Sequence, residues 1–357
     1  VPNRTIFYFY TRNATFIQKD LAMLRKEFRV LEHSFPAPEK WKTPLLFLSQ
    51  LVFVLKHVGA IRNAVFMCQF AGYHSFLPCF LGRILRKPSL IVVGGTDCVA
   101  FPSLRYGHFQ NKLLAWFTKA SYRMVDTVSA VHESLFERDN PYAGEAERRQ
   151  GILQFFPQAR FRRNAIPNGF DTDRFKLETP WEERAVFSFI SISASLNDPI
   201  RMRLKGIDLV LELASRIPEA HFTLVGTEGK MEVPENVLLL PYVPNAQLPA
   251  LYNQQRYYLQ LSLSEGFPNA LSEAMACGCI PIVSQVASMP EIVGKDGLIL
   301  SERNADLLEK LVRERLLRSE SDEAKVAQES AQSISQRYNW NRRETELLRL
   351  VRELKVR

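Results

Sequence analysis

The 357 residues are 46% hydrophobic and 24% charged, an ordinary folded composition at about twice the length of a common single domain, so two domains are expected. Five cysteines (Cys68, Cys79, Cys98, Cys277, Cys279) are odd in number and show no C-x-x-C spacing, which argues against a zinc site or redox pair and for reduced core thiols. Charge is lopsided: residues 1–170 hold 23 Lys and Arg against 11 Asp and Glu, whereas residues 171–357 hold 23 against 27, so an anionic partner of the first half is expected.

No positively charged start with an apolar run and a small-residue cleavage site follows Val1, and a cytoplasmic protein is expected. Thr5 to Tyr10, Ala64 to Met67, Ser89 to Val93 and Thr127 to Val131 are predicted strands. Phe16 to Phe28, His74 to Leu85 and Phe109 to Tyr122 are predicted helices between them, the rhythm of a parallel α/β sheet. The apolar stretch Pro44 to Leu55, bracketed by Lys40, Trp41, Lys42 and Lys56, falls short of the ~20 residues that span a bilayer. It reads either as a core helix or as an amphipathic segment lying on an anionic membrane surface. Gly72-Tyr73-His74 and Gly94-Gly95-Thr96-Asp97 follow strands, so His74 and Asp97 are expected on a ligand-binding rim and not in the core. His132 follows another strand, and Phe101 to Phe109 reads as a loop near the same rim.

From Phe187 the pattern begins again, with strands at Phe187 to Ile192, His221 to Val225, Tyr257 to Leu263 and Ile280 to Ser284. Helices are predicted at Gly206 to Arg216, Ala246 to Tyr252 and Asn269 to Ala276. Two α/β domains, 1–170 and 171–335, joined near Ile166 to Pro180, would enclose a cleft at the carboxyl ends of both sets of strands. A last helix, Trp340 to Leu354, lies in a tail of residues 336–357 predicted to pack back on the first domain.

The most informative segment is LSLSEGFPNALSEAMACGCIPIVS, residues 261–284. A strand ends at Leu263, Glu265-Gly266 turn the chain, Pro268 opens a helix and Gly278 closes it. Glu265 then lies just before a helix N-terminus, whose free N–H groups attract phosphate, and Glu273 projects from about its second turn. Carboxylates cannot bind a diphosphate, so they are expected to accept hydrogen bonds from sugar and ribose hydroxyls, leaving phosphate to backbone N–H groups and cations.

This segment resembles the E-x7-E motif of glycosyltransferase family four, here Glu265 and Glu273, and Met289-Pro290-Glu291-Ile292-Val293 also matches. Ile166-Pro167-Asn168-Gly169-Phe170-Asp171 with Phe175 is similar to the family's inter-domain motif. Lys205-Gly206-Ile207-Asp208 resembles its K-G-x-D, whose lysine contacts the donor diphosphate, and Val225-Gly226-Thr227-Glu228-Gly229 its glycine-bearing loop. The resemblance runs over roughly residues 164–300. It implies an α/β GT-B fold, two Rossmann-like domains facing each other across a cleft, and a retaining glycosyltransferase working without a metal. The donor would be a nucleotide-sugar held by the second domain. The acceptor, a glycan, a lipid-linked glycan or a small molecule, would be held by the first, with no nucleic-acid partner and no cofactor beyond the donor.

On this reading Glu265, Glu273, Lys205, Asp97 and His74 are the catalytic candidates, and Gly266, Phe267, Pro268, Asn269 and Gly226 contact the donor. Two departures stand out. The family's arginine after the first strand of the second domain is replaced by Ser191-Ile192-Ser193-Ala194-Ser195, so Arg201 or Arg203, in a lengthened loop before Lys205, is expected to supply that charge. The first strand-helix loop has Thr11-Arg12-Asn13-Ala14-Thr15 in place of a glycine pair, which makes Arg12 a donor-contact candidate. Asp171-Thr172-Asp173 spells a D-x-D metal motif but lies in the linker, so no metal is expected there. A sugar-nucleotide epimerase or hydrolase of the same fold, and an inactive sugar-binding scaffold, are the alternatives.

Overall fold

The computed structural model describes residues 4–36, 40–193, 196–227 and 231–356. The chain divides into two compact units: Val1–Arg138 with Arg149–Pro167 and Asn341–Arg357, and Asp139–Arg148 with Asn168–Trp340. The sequence places residues 139–148 and 336–340 differently, because a crossover of the backbone between units leaves no mark in hydrophobic periodicity.

The first unit carries six strands: β1 (Thr5–Tyr10), β2 (Arg29–Ser34), β3 (Ala64–Gln69), β4 (Ser89–Val93), β5 (Thr127–Ala130) and β6 (Arg162–Ala165). All pair in parallel, in the order β2-β1-β3-β4-β5-β6. Every residue of β1, β3 and β4 is buried, which is why they read as continuous apolar runs. Helices α1 (Thr15–Arg25), α2 (Thr43–Lys56), α3 (Tyr73–Ile84), α4 (Lys112–Met124) and the short α5 (Ile152–Phe155) connect them. The chain's last helix, Trp340–Glu353, adds Leu347, Leu348 and Val351, with Leu354 beyond it, to the core formed by Ile6, Tyr8, Leu21, Leu24 and Val65. There Arg343 Nε and Nη2 donate to Asp20 Oδ1 and Oδ2 at 2.8 and 2.7 Å, a buried bidentate pair, and Nη1 donates to the carbonyl oxygens of Ile166 and Pro167.

The second unit repeats the scheme with β7 (Ser188–Ile192), β8 (His221–Thr227), β9 (Val237–Pro241), β10 (Tyr257–Gln260), β11 (Ile280–Ser284) and β12 (Leu298–Leu300). Its helices are α6 (Pro199–Lys205), α7 (Ile207–Arg216), α8 (Leu248–Tyr252), α9 (Asn269–Ala276), α10 (Met289–Val293), α11 (Ala305–Leu316) and α12 (Glu320–Arg337). The parallel order is β9-β8-β7-β10-β11-β12, so the winding direction reverses between β7 and β10. A ligand crevice belongs at the carboxyl ends of those two strands. Phe189 at the centre stacks on Phe222 and Tyr257, with ring centroids 4.8 and 5.0 Å apart.

Candidate functional site

The crevice of the second unit is built around the turn from β10 into α9. Glu265 Oε1 accepts from Lys205 Nζ at 2.6 Å and from Gln260 Nε2 at 3.0 Å. Gln260, the last residue of β10, accepts from Tyr258 Oη at 2.7 Å and also donates to Ser262 Oγ at 3.0 Å. The Lys205 side chain is 32% exposed and that of Glu265 11%, so the lysine faces solvent while its carboxylate is fixed from beneath. Glu273, in the second turn of α9, is buried, and Asn245 Nδ2 lies 3.2 and 3.3 Å from its two oxygens. Expected to face the cleft, Glu273 is instead largely covered by its own unit. Phe267 and Gly266 are also buried, and Asn269 opens α9 with a buried Oδ1 that has no hydrogen-bond partner.

The loop is pinned from several sides. Ser284 Oγ donates to Ser262 O at 2.6 Å, Ser288 Oγ to Gly266 O at 2.8 Å, Asn140 Nδ2 to Leu263 O at 3.0 Å and Tyr142 Oη to Leu261 O at 3.3 Å. Leu263 N donates to Leu204 O at 2.8 Å, tying the loop to the residue before Lys205. The residue after it, Gly206, has φ +71°, and a Cβ there would lie 2.1 Å from Leu261 O. Only glycine fits both the left-handed conformation and the contact, and the fit sets where Lys205 sits. At the other end of α9, Arg184 is buried among carbonyl oxygens, with Nη2 donating to Cys277 O at 2.7 Å and Nη1 to Gln255 O at 3.0 Å. Burial lowers its pKa, and the helix C-terminus stabilises the charge that remains. Sequence reading misses Gln260, Asn245, Asn140 and Tyr142, whose partners are distant in the chain. For Arg184 the one available signal is an arginine in an otherwise apolar strand approach.

Arg201 and Arg203 do not lie in a loop. Asp198 caps α6 by accepting from Ile200 N and Arg201 N at 2.8 and 3.4 Å, and Pro199 occupies its first position, a start signal that looks like a loop when read as Asn-Asp-Pro. Both arginines are exposed, and Arg201 Nε is 3.8 Å from Asp198 Oδ2. Arg201, four residues before Lys205, shares its helix face. Gly226 forms a bulge in β8 with φ +109°. Glu228, Gly229, Ala194 and Ser195 lie outside the described residues.

In the first unit, the rim expectation for His74 and Asp97 is corrected: both side chains are buried. His74 Nε2 lies 2.7 Å from Gln69 O, and burial lowers its pKa to about 4. Asp97 accepts from the backbone N–H groups of Ala71 at 2.9 Å, Gly95 at 3.3 Å and Gly94 at 3.4 Å. Burial raises its pKa despite those donors. The strand ends that carry them are covered by their own loops, which position after a strand does not disclose. Arg12 is exposed just beyond β1, His132 Nδ1 is 2.8 Å from Ser134 Oγ, and Asp171 Oδ1 accepts from Asp173 N and Arg174 N as a local turn.

Residues 201–333 match the family model of glycosyl transferases group 1. The chain is 41% identical over 69 residues to O-antigen chain mannosyltransferase B of Escherichia coli, covering 19% of this chain and 18% of that protein. It is 26% identical over 156 residues to the phosphatidylinositol N-acetylglucosaminyltransferase protein of Arabidopsis thaliana, 40% of this chain and 33% of that one. The chain thus matches a third or less of the length of these curated relatives. Among solved structures, sucrose-phosphate synthase from Thermosynechococcus elongatus matches with TM-score 0.71 at 15% identity over 98% of each chain. HepE from Anabaena, in complex with UDP and glucose, matches with TM-score 0.69 at 18% identity over 98% of this chain and 100% of that chain. The fold is GT-B, with two parallel-stranded Rossmann-like units.

Proposed function

We propose that the protein is a retaining glycosyltransferase that moves a sugar from a nucleotide-sugar to a hydroxyl of a glycan, a lipid-linked glycan or a small molecule. The observation that carries this reading is the arrangement at the β7/β10 switch point. A solvent-reaching lysine, Lys205, is held by Glu265 next to the N-terminus of α9, with Glu273 on the same helix oriented by Asn245. Support comes from relatives that are sugar transferases by name, and from HepE, which was crystallised with UDP-glucose.

In the proposed reaction the donor diphosphate sits against the first-turn N–H groups of α9 and Lys205, and Glu265 and Glu273 accept from ribose or sugar hydroxyls. The bond between the anomeric carbon and the diphosphate oxygen breaks as the acceptor oxygen bonds that carbon from the same face, and the acceptor's proton leaves on the released diphosphate. Charge grows on the diphosphate as this happens, so the fixed cation and helix end stabilise the transition state more than the ground state. Arg201, on the face of α6 that carries Lys205, supplies the second cation. Incubation with a panel of labelled nucleotide-sugars and acceptors, with the anomeric configuration of the product read by NMR, tests the reading. Inverted product sinks retention, and release of free sugar or an epimerised donor without transfer sinks the transferase.

A further inference from the structure

Helix α2 is built inside out. Its buried side chains are Gln50 and Val54, and Gln50 Nε2 donates to His74 O at 2.8 Å. Its leucines face the other way: Trp41, Leu45, Leu48, Val52 and Leu55 recur at three- and four-residue spacing, all exposed, with Leu48 at 57% and Leu55 at 58%. Such spacing makes one continuous apolar stripe. Aromatic contacts join α2 to its neighbours: Phe47 lies 6.3 Å from Phe76 on α3 and 5.7 Å from Phe117 on α4, and Phe76 lies 5.8 Å from Trp116. Those neighbours expose Phe80 and Ile84 on α3 and Leu113 and Trp116 on α4. A patch of this composition is larger than scattered surface leucines explain.

The charge around it is of one sign. Residues 41–125 contain ten Lys and Arg and one acid, Asp97, and that acid is buried. This stretch accounts for the whole of the chain's net charge of +8, and the remaining 272 residues are close to neutral. Helices α2, α3 and α4 carry no acidic residue at all.

We propose that the α2–α3–α4 face docks on an anionic lipid bilayer, lying in the headgroup region without crossing it. Among the described residues no helix is long and apolar enough to span a membrane, and α2 has 14 residues. An apolar stripe with exposed tryptophans, edged by lysines that reach past it, matches the layering of a bilayer interface. A second copy of the chain would set ten cations against ten, and a nucleic acid would leave the leucines without a partner. An anionic lipid surface satisfies both features.

The test uses the full chain and vesicles of phosphatidylcholine alone or mixed with phosphatidylglycerol, and it does not depend on the donor-site reading. Co-sedimentation is expected with the anionic vesicles at ~0.05 M salt, falling steeply at ~0.5 M as the charges are screened. The triple substitution Leu48→Ser, Leu55→Ser and Trp116→Ser, all at exposed positions, is expected to weaken partitioning at least about tenfold with the melting temperature unchanged. Failure to pellet with anionic vesicles at low salt overturns the proposal, as does pelleting that the triple variant leaves unaltered. A dimer in sedimentation velocity that the triple variant splits, without lipid binding, would assign the face to self-association instead.

Discussion

Lys205 Nζ and Glu265 Oε1, sixty residues apart in sequence, meet at 2.6 Å across the mouth of the second unit's crevice. The contact holds a cation where a diphosphate would need it, while Gln260 secures the same carboxylate oxygen from the strand side. Lys205→Ala is expected to lower kcat/KM by about 10²-fold, as for one lost electrostatic contact to developing charge. A loss smaller than tenfold would make Lys205 a bystander.

Glu265→Gln and Glu273→Gln are each expected to remove most turnover while preserving volume. Because Glu273 is buried against Asn245, Asn245→Ala should raise the donor KM without unfolding the protein. Full turnover in both glutamine variants, with unchanged circular dichroism melts, would detach these carboxylates from the chemistry.

Arg201 and Arg203 part company on helix geometry. Arg201→Ala should weaken donor binding by calorimetry, and Arg203→Ala should leave it nearly unchanged, since only Arg201 shares the face of Lys205. Equal effects, or none, would refute the replacement of the family arginine. Activity is further expected to survive chelation; its loss with EDTA and return with manganese would point to a metal.

Gly206→Ala forces a Cβ to within 2.1 Å of Leu261 O at φ +71°. Destabilisation of the second unit by at least about 2 kcal/mol is expected, measured by denaturant unfolding. A wild-type midpoint would mean that the 261–268 loop can move away from α6.

His74 is neutral in the fold, its pKa lowered from 6.5 to about 4 by burial. The unfolded chain therefore binds a proton between those values that the folded chain does not. The stability His74 permits at neutral pH is lost as pH falls from about 6.5 to about 4, on the order of 3 kcal/mol over the window. His74→Gln should flatten that part of the pH–stability profile. An identical slope in the variant would place the loss elsewhere, with His108, also lowered to about 4, the next residue to test.

Much of the fold is legible in the sequence because its central strands are buried on both sides. Thr5–Tyr10, Ser89–Val93 and Ile280–Ser284 have the bounds their apolar runs predict. The outer strands escape: Arg29–Ser34 and Arg162–Ala165 expose charged residues at a sheet edge and show no apolar run. Gly266 to Ala276 can be punctuated from sequence because proline and glycine mark its helix ends. Asn245 beside Glu273, and the depth of His74 and Asp97, depend on contacts between distant segments that no local pattern encodes.

The pairing of Arg343 with Asp20, and the seating of Leu347, Leu348 and Val351 against Ile6 and Leu21, bear on how the chain is made. A ribosome delivers the first sheet's six strands well before the helix that completes their hydrophobic core. The whole second unit must emerge in the interval. Unit two can therefore close as an independent body while unit one still waits with an open apolar flank and Asp20 lacking its guanidinium. Synthesis order and folding order are inverted for the two halves, and the nascent first half is the stretch that chaperones have most reason to shelter.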